Sequence, residues 1–200
     1  MKIWQIAVVV VLGAMTFYQW SEVPSPRADP EKHPLSTPSG RIEIFSATLH
    51  AMGKPAGIPA IPKYIQEWES PFGPEAREYP RQAVGHHSLA RVHSTLEGVD
   101  WLEEAFPQRV FISQIDATAR GIANADHVRI FNSRGELNIR CRLTRRIMPG
   151  VIAIPQGAWW TPDERGVDRR GSINALTSER WTPLAFGTAQ HTIMVEVRKA

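Results

Sequence analysis

Two hundred residues, 42% of them apolar and 22% charged, make a globular composition with material for one real core, which excludes a long disordered chain. Lys and Arg outnumber Asp and Glu by only 23 to 20; a nucleic-acid binder would show a denser basic stripe, so no nucleic-acid partner is expected. The single cysteine, Cys141, excludes an internal disulfide and a four-cysteine iron–sulfur cluster.

The chain opens with Lys2 and an apolar run from Ile6 to Met15 that continues weakly to Trp20. Residues 1–20 read as a signal- or anchor-like segment, or as a start that merely happens to be apolar; a spanning helix wants about 20 apolar residues. Residues 21–40 carry Pro24, Pro26, Pro30, Pro34 and Pro38, too many for helix or central strand, and read as a linker. Residues 41–80 form an irregular lead-in. Within it, Arg41–Phe45 alternates as a half-buried strand does, and Ser46 suits the N-cap of a short helix running to about Met52.

From residue 81 to 200 the pattern becomes regular. Gln82–Val84, Arg109–Ile112, His127–Phe131, Glu136–Leu143, Val151–Ile154 and Thr192–Arg198 read as strands. Val99–Phe106 and Ile115–Arg120 read as short helices, the second stopped by Gly121. Asn132–Gly135 turns between two strands as a hairpin. In Glu136–Leu143 one face takes Leu137, Ile139, Cys141 and Leu143. Many short strands with two short helices predict a mainly β protein closed into a barrel, not a doubly wound sheet. The long segment from Pro155 to His191 reads as a binding loop, because its tryptophans argue against disorder.

Two clusters carry candidate chemistry. The first is Gly85–Ser94, with His86, His87, His93 and Arg91 just after a strand. Its spacing matches no standard zinc motif, so no metal is expected. It suits recognition of a polar anion by Arg91, the histidines and backbone N–H groups, or is simply a polar strand end with exposed histidines. The second is the loop after Val151–Ile154, where Asn174 and Gln190 offer amides to the edge of a heterocycle. Trp159, Trp160 and Trp181 taken alone read as core packing. Cys141 reads as a buried structural thiol. Asp163, Glu164 and Asp168 read as a surface turn paired with Arg165, Arg169 and Arg170. No residue reads as catalytic.

Taken in order, Pro38–Ser46 (PSGRIEIFS), His87–Ser94 (HSLARVHS) with Val99–Leu102, Gly150–Trp160 (GVIAIPQGAWW), Gly171–Thr177 (GSINALT), Pro183–Ala185 and Gln190–His191 resemble the C-terminal, molybdopterin-dinucleotide-binding domain of dimethyl sulfoxide reductase catalytic subunits. The resemblance spans roughly Arg27 to Ala200. It implies a double-psi β-barrel and a bis-molybdopterin guanine dinucleotide molybdenum cofactor. It places His87, Arg91, His93 and Ser94 against a pterin or its phosphates, Asn174 against the pterin, Gln190 and His191 in the last contact loop, and Asp116 in the short helix near the guanine end. Two stretches depart from the pattern: Ser113–Gln114 stands where Asn-Pro is usual, and Asn124–Asp126 stands where Asp-Gly-Asp is usual. The implied role is the cofactor-binding part of an S- or N-oxide reductase, as a truncated or split chain that is not active alone. The implied partners are the remaining catalytic-subunit domains, an iron–sulfur electron-transfer subunit and a membrane anchor subunit, in a periplasmic or membrane-associated setting. The alternative is a membrane-tethered, non-catalytic β-barrel binding module.

Overall fold

The run Glu136–Thr144 sets the pattern of the fold. Leu137, Ile139 and Cys141 are buried on one face while Arg140 and Arg142 are exposed on the other, as a strand with one wet face requires. Five further strands join it, in a computed structural model that describes residues 29–53 and 57–200. The apolar start 1–20 and the beginning of the Pro-rich segment lie outside the described residues. The chain divides between Lys63 and Tyr64 into two units.

In the first unit, helix α1 (Ala47–Ala51) forms as expected, with the Ser46 side chain accepting from Leu49 N–H. The expected strand Arg41–Phe45 does not form: the segment is bent, and Ile42 and Ile44 are exposed. Alternation supplies a face but no ladder, and a strand without a partner leaves its backbone to water.

In the second unit the strands are β1 (Arg81–His86), β2 (Val110–Ser113), β3 (His127–Phe131), β4 (Glu136–Thr144), β5 (Val151–Pro155) and β6 (Ile193–Lys199). They close into a barrel in the order β1-β5-β2-β4-β3-β6. The β1–β5 and β2–β4 pairs are parallel and the other four antiparallel. Inward residues such as Ala83, Val110, Ile112, Val128, Ile130, Ile152, Ile154 and Val195 fill the interior without exposure above 1%, so the barrel is a packed core. Cys141 belongs to it. Two short helices flank the strands, α2 (Asp100–Ala105) and α3 (Gln114–Thr118). Part of the lead-in is strapped to the barrel: Glu69 pairs with Arg134 at 2.9 Å and accepts the Met194 N–H at 3.0 Å.

The two stretches that depart from the resembled pattern form a capped helix start and a left-handed turn. Ser113 caps α3, accepting the Asp116 N–H at 3.1 Å and donating to the Asp116 carboxylate at 2.8 Å. Ala125 takes φ +70°, the left-handed conformation that glycine adopts without strain.

Candidate cofactor site

Parallel pairing of β1 with β5 sends both chains out at the same end of the barrel, and antiparallel β6 enters there. Three loops therefore share one rim. At that rim a Cβ on Gly85 would lie 3.3 Å from Ile173, 3.6 Å from the Gln190 carbonyl and 3.9 Å from the His191 ring. The end of β1 thus touches the neighbour of Asn174 and the loop before β6 together. Gln82 fixes that last loop by donating to the His191 carbonyl at 3.1 Å. Gly157, with φ +95°, lets the turn after β5 lie directly on His93, whose carbonyl oxygen any Cβ there would overlap.

The rim carries unspent polar groups. His87 and His93 are exposed and meet edge to face, with ring centroids 5.1 Å apart. Ser94, Asn174 and His191 are exposed and Gln190 half-buried. Asn174 sits on the 3-10 turn Ile173–Leu176, whose apolar residues are buried beneath it. Among the described residues no hydrogen bond ties its amide.

Arg91 is placed differently. Its guanidinium is buried, bonded to Glu97, to Gln108 Oε1 at 2.6 Å and to the Gln156 carbonyl at 3.4 Å. Glu97 is itself buried and also takes Arg170, at 3.1 and 2.9 Å, while Arg170 reaches on to Glu103. Gln108 donates to the Pro155 and Gly171 carbonyls at 2.7 and 3.1 Å. This network ties the loop after β1 to the loop leading to Asn174.

Seven of the eight candidate residues gather at this rim; Asp116 does not. It is buried at the opposite end, where β1 and β5 begin, and its carboxylate is filled by Arg81 at 2.9 Å, Ser113 at 2.8 Å and the Gly150 N–H at 2.7 Å.

Two residues missed in the sequence organise the site. Glu97 is one. Asp168 is the other: it is fully buried and accepts N–H groups of Thr161 (2.7 Å), Gly171 (2.7 Å) and Ser172 (2.6 Å). The expectation of a surface ion pair fails for Asp168 and holds for Asp163, which pairs with Arg169 at 2.5 Å. Its place before Arg-Arg-Gly-Ser gave one signal, since an Asp side chain readily caps the N–H groups just after it. The tryptophans depart from the core-packing expectation too: Trp159, Trp160 and Trp181 are 55%, 62% and 62% exposed.

The sequence profile described as "Molydopterin dinucleotide binding domain" matches residues 82–194, the barrel and both loops of this rim. The chain belongs to that family. It is 46% identical over 179 residues to the dimethyl sulfoxide reductase DmsA of Escherichia coli K12, covering 86% of this chain and 22% of the relative. It is 38% identical over 183 residues to trimethylamine-N-oxide reductase 1 of the same strain, with the same coverage. Acetylene hydratase from Pelobacter acetylenicus shares the fold, with TM-score 0.69 at 18% identity over 86% of this chain and 25% of that one. The chain thus spans about a fifth of the length of these reductases. Family membership brings molybdopterin guanine dinucleotide with it as cofactor. The residues present fit such a group. Amides and imidazoles complement a pterin edge, which offers donors and acceptors side by side, and the exposed rim holds both kinds.

Proposed function

We propose that the rim formed by His87, His93, Ser94, Asn174, Gln190 and His191 holds the pterin part of molybdopterin guanine dinucleotide, and that the chain serves as the cofactor-binding part of an S- or N-oxide reductase. The observation that carries this reading is the convergence of two polar loops over Gly85 at one end of a packed barrel. In it Asn174 and Gln190 bond the heterocycle edge, and His87, His93 and His191 supply imidazole donors and acceptors. Arg91 acts from beneath, holding the loop through Glu97 and Gln108. The bound cofactor supplies the redox chemistry. The chain supplies orientation and exclusion of water, and no side chain of it is assigned a catalytic step.

The two parallel pairs, β1–β5 and β2–β4, support a double-psi connectivity for the barrel. The relatives' greater length supports the remaining catalytic-subunit domains as partner, together with an iron–sulfur subunit and a membrane anchor. Co-expression with a polypeptide corresponding to the rest of DmsA tests this. The two should copurify with molybdenum and reduce dimethyl sulfoxide. Reduction by this chain alone would overturn the assignment.

A further inference from the structure

The turn that carries Asn174 is gripped at both ends. At its start Asp168 takes the N–H groups of Gly171 and Ser172, and beneath it Ile173 and Leu176 are buried in the core. At its end three donors from the β3–β4 hairpin meet one oxygen, the Leu176 carbonyl. They are Asn132 Nδ2 at 2.9 Å, Arg134 Nε at 2.9 Å and Arg134 Nη2 at 2.7 Å. A 3-10 turn leaves its last carbonyls without partners of its own, and a single donor would satisfy this one. A carbonyl has two lone pairs, so three donors exceed what satisfaction requires and fix the direction of the oxygen as well.

The hairpin tip is itself held. Asn132 Oδ1 accepts the Arg134 N–H at 3.0 Å, and Asn132 Nδ2 also reaches the Met194 carbonyl at 3.3 Å. The Glu69 carboxylate, with only 13% of its side chain exposed, takes Arg134 Nη2 at 2.9 Å and the Met194 N–H at 3.0 Å. Gly135 completes the contact: a Cβ there would stand 2.5 Å from the Ala175 carbonyl oxygen, so glycine alone lets the tip lie on the residue next to Asn174. The contrast is at Asn174, whose backbone is pinned from both sides while its amide is exposed and, among the described residues, unbonded. A binding group held by its neighbours loses less freedom on meeting a ligand.

We propose that Arg134 is a positioning residue of the cofactor rim: by holding the Leu176 carbonyl it sets the angle at which Asn174 offers its amide to the pterin, and Glu69 aims Arg134. The inference rests on the rim reading above, since Arg134 acts through Asn174. It gives the lead-in segment a part in binding, through Glu69, although that segment supplies no residue to the rim.

A double-mutant cycle on the full chain tests the proposal, read by equilibrium binding of molybdopterin guanine dinucleotide. Arg134→Gln should weaken binding by about tenfold in the parent and by less than about twofold in an Asn174→Ala background, because a residue that acts through Asn174 has nothing left to position there. A purely structural role would give the same loss in both backgrounds. Amide exchange in the cofactor-free chain is the second readout. In Arg134→Gln the N–H groups of Ala175 and Thr177, bonded within the turn, should quicken at least about tenfold more than those of Ile139 and Cys141 in β4. Gly135→Ala displaces the same turn without touching Arg134, and should repeat both results if Arg134→Gln does not fold. Equal losses in the two backgrounds, or exchange that quickens no more in the turn than in β4, would overturn the role of Arg134 and leave the rim reading standing. Binding unchanged by Asn174→Ala itself would overturn the rim reading, and the positioning role with it.

Discussion

At the scale of single residues, one group sits in a conformation that costs stability and another in a charge state that adds to it. Ala125 sits at φ +70°, where its Cβ crowds the following carbonyl; a left-handed non-glycine residue costs about 1–2 kcal/mol, part of which glycine gives back in unfolded-state entropy. Ala125→Gly should therefore stabilise the protein by about 0.5–1 kcal/mol in urea unfolding, with no change in the turn's hydrogen bond from Ala125 N–H to the Cys141 carbonyl. Glu196 is the second. Burial works against its ionisation, but hydrogen bonds from Arg120 at 2.8 Å and from the Val197 N–H at 2.8 Å outweigh it and hold its carboxyl below the ordinary value. A carboxylate with a depressed native pKa contributes stability that is whole above its ordinary value of 4.5 and is lost as the pH falls through the lower native one. Chemical denaturation across the acid range should show a shallower loss below that value in Glu196→Gln than in the parent.

Among elements, the decisive feature is the ion network under the loop rim. Glu97 joins the loop after β1, through Arg91, to the segment leading to Asn174, through Arg170. Removing one partner of a buried pair leaves an uncompensated charge, commonly at 3–5 kcal/mol. The side chain of Arg170 is about one-third exposed, so Glu97→Gln should cost about 2–3 kcal/mol. Glu103→Gln, at the wetter end of the network, should cost under about 1 kcal/mol. Equal losses in the two variants would show that Glu97 does not anchor the loops. These contacts also mark the limit of what the sequence discloses. The six strands are legible through apolar runs and alternation, as in β4 through Leu137, Ile139 and Cys141, and α1 and α3 through Ser46 and the stop at Gly121. The Glu97–Arg170 pair joins residues 73 positions apart, and no local pattern announces it. Arg41–Phe45 errs the other way: its alternation is local and correct, but a ladder needs a second chain segment. The tryptophans fail for a related reason, since size and apolarity do not say which side of a loop faces water.

For the whole molecule, the barrel's topology decides what the residues can do together. His87, Asn174 and His191 are far apart in sequence, and parallel β1–β5 with antiparallel β6 places them at one rim. The same topology places Asp116 at the other rim, one strand length away or roughly 17–20 Å, so its charge serves Arg81 and the start of β5. The family resemblance was visible in ordered motifs, whereas the division of labour between the two ends depends on closure of the barrel. The central claim is that the loop rim, presented by this barrel, binds the pterin end of the cofactor. Equilibrium binding of molybdopterin guanine dinucleotide to the full chain tests it most directly, comparing the parent with His87→Ala and Asn174→Ala, and with Arg129→Ala on the far wall as control. The account predicts binding that each rim variant weakens by about tenfold, with melting temperatures and the control unchanged. Binding of equal strength in the parent and both rim variants would contradict it.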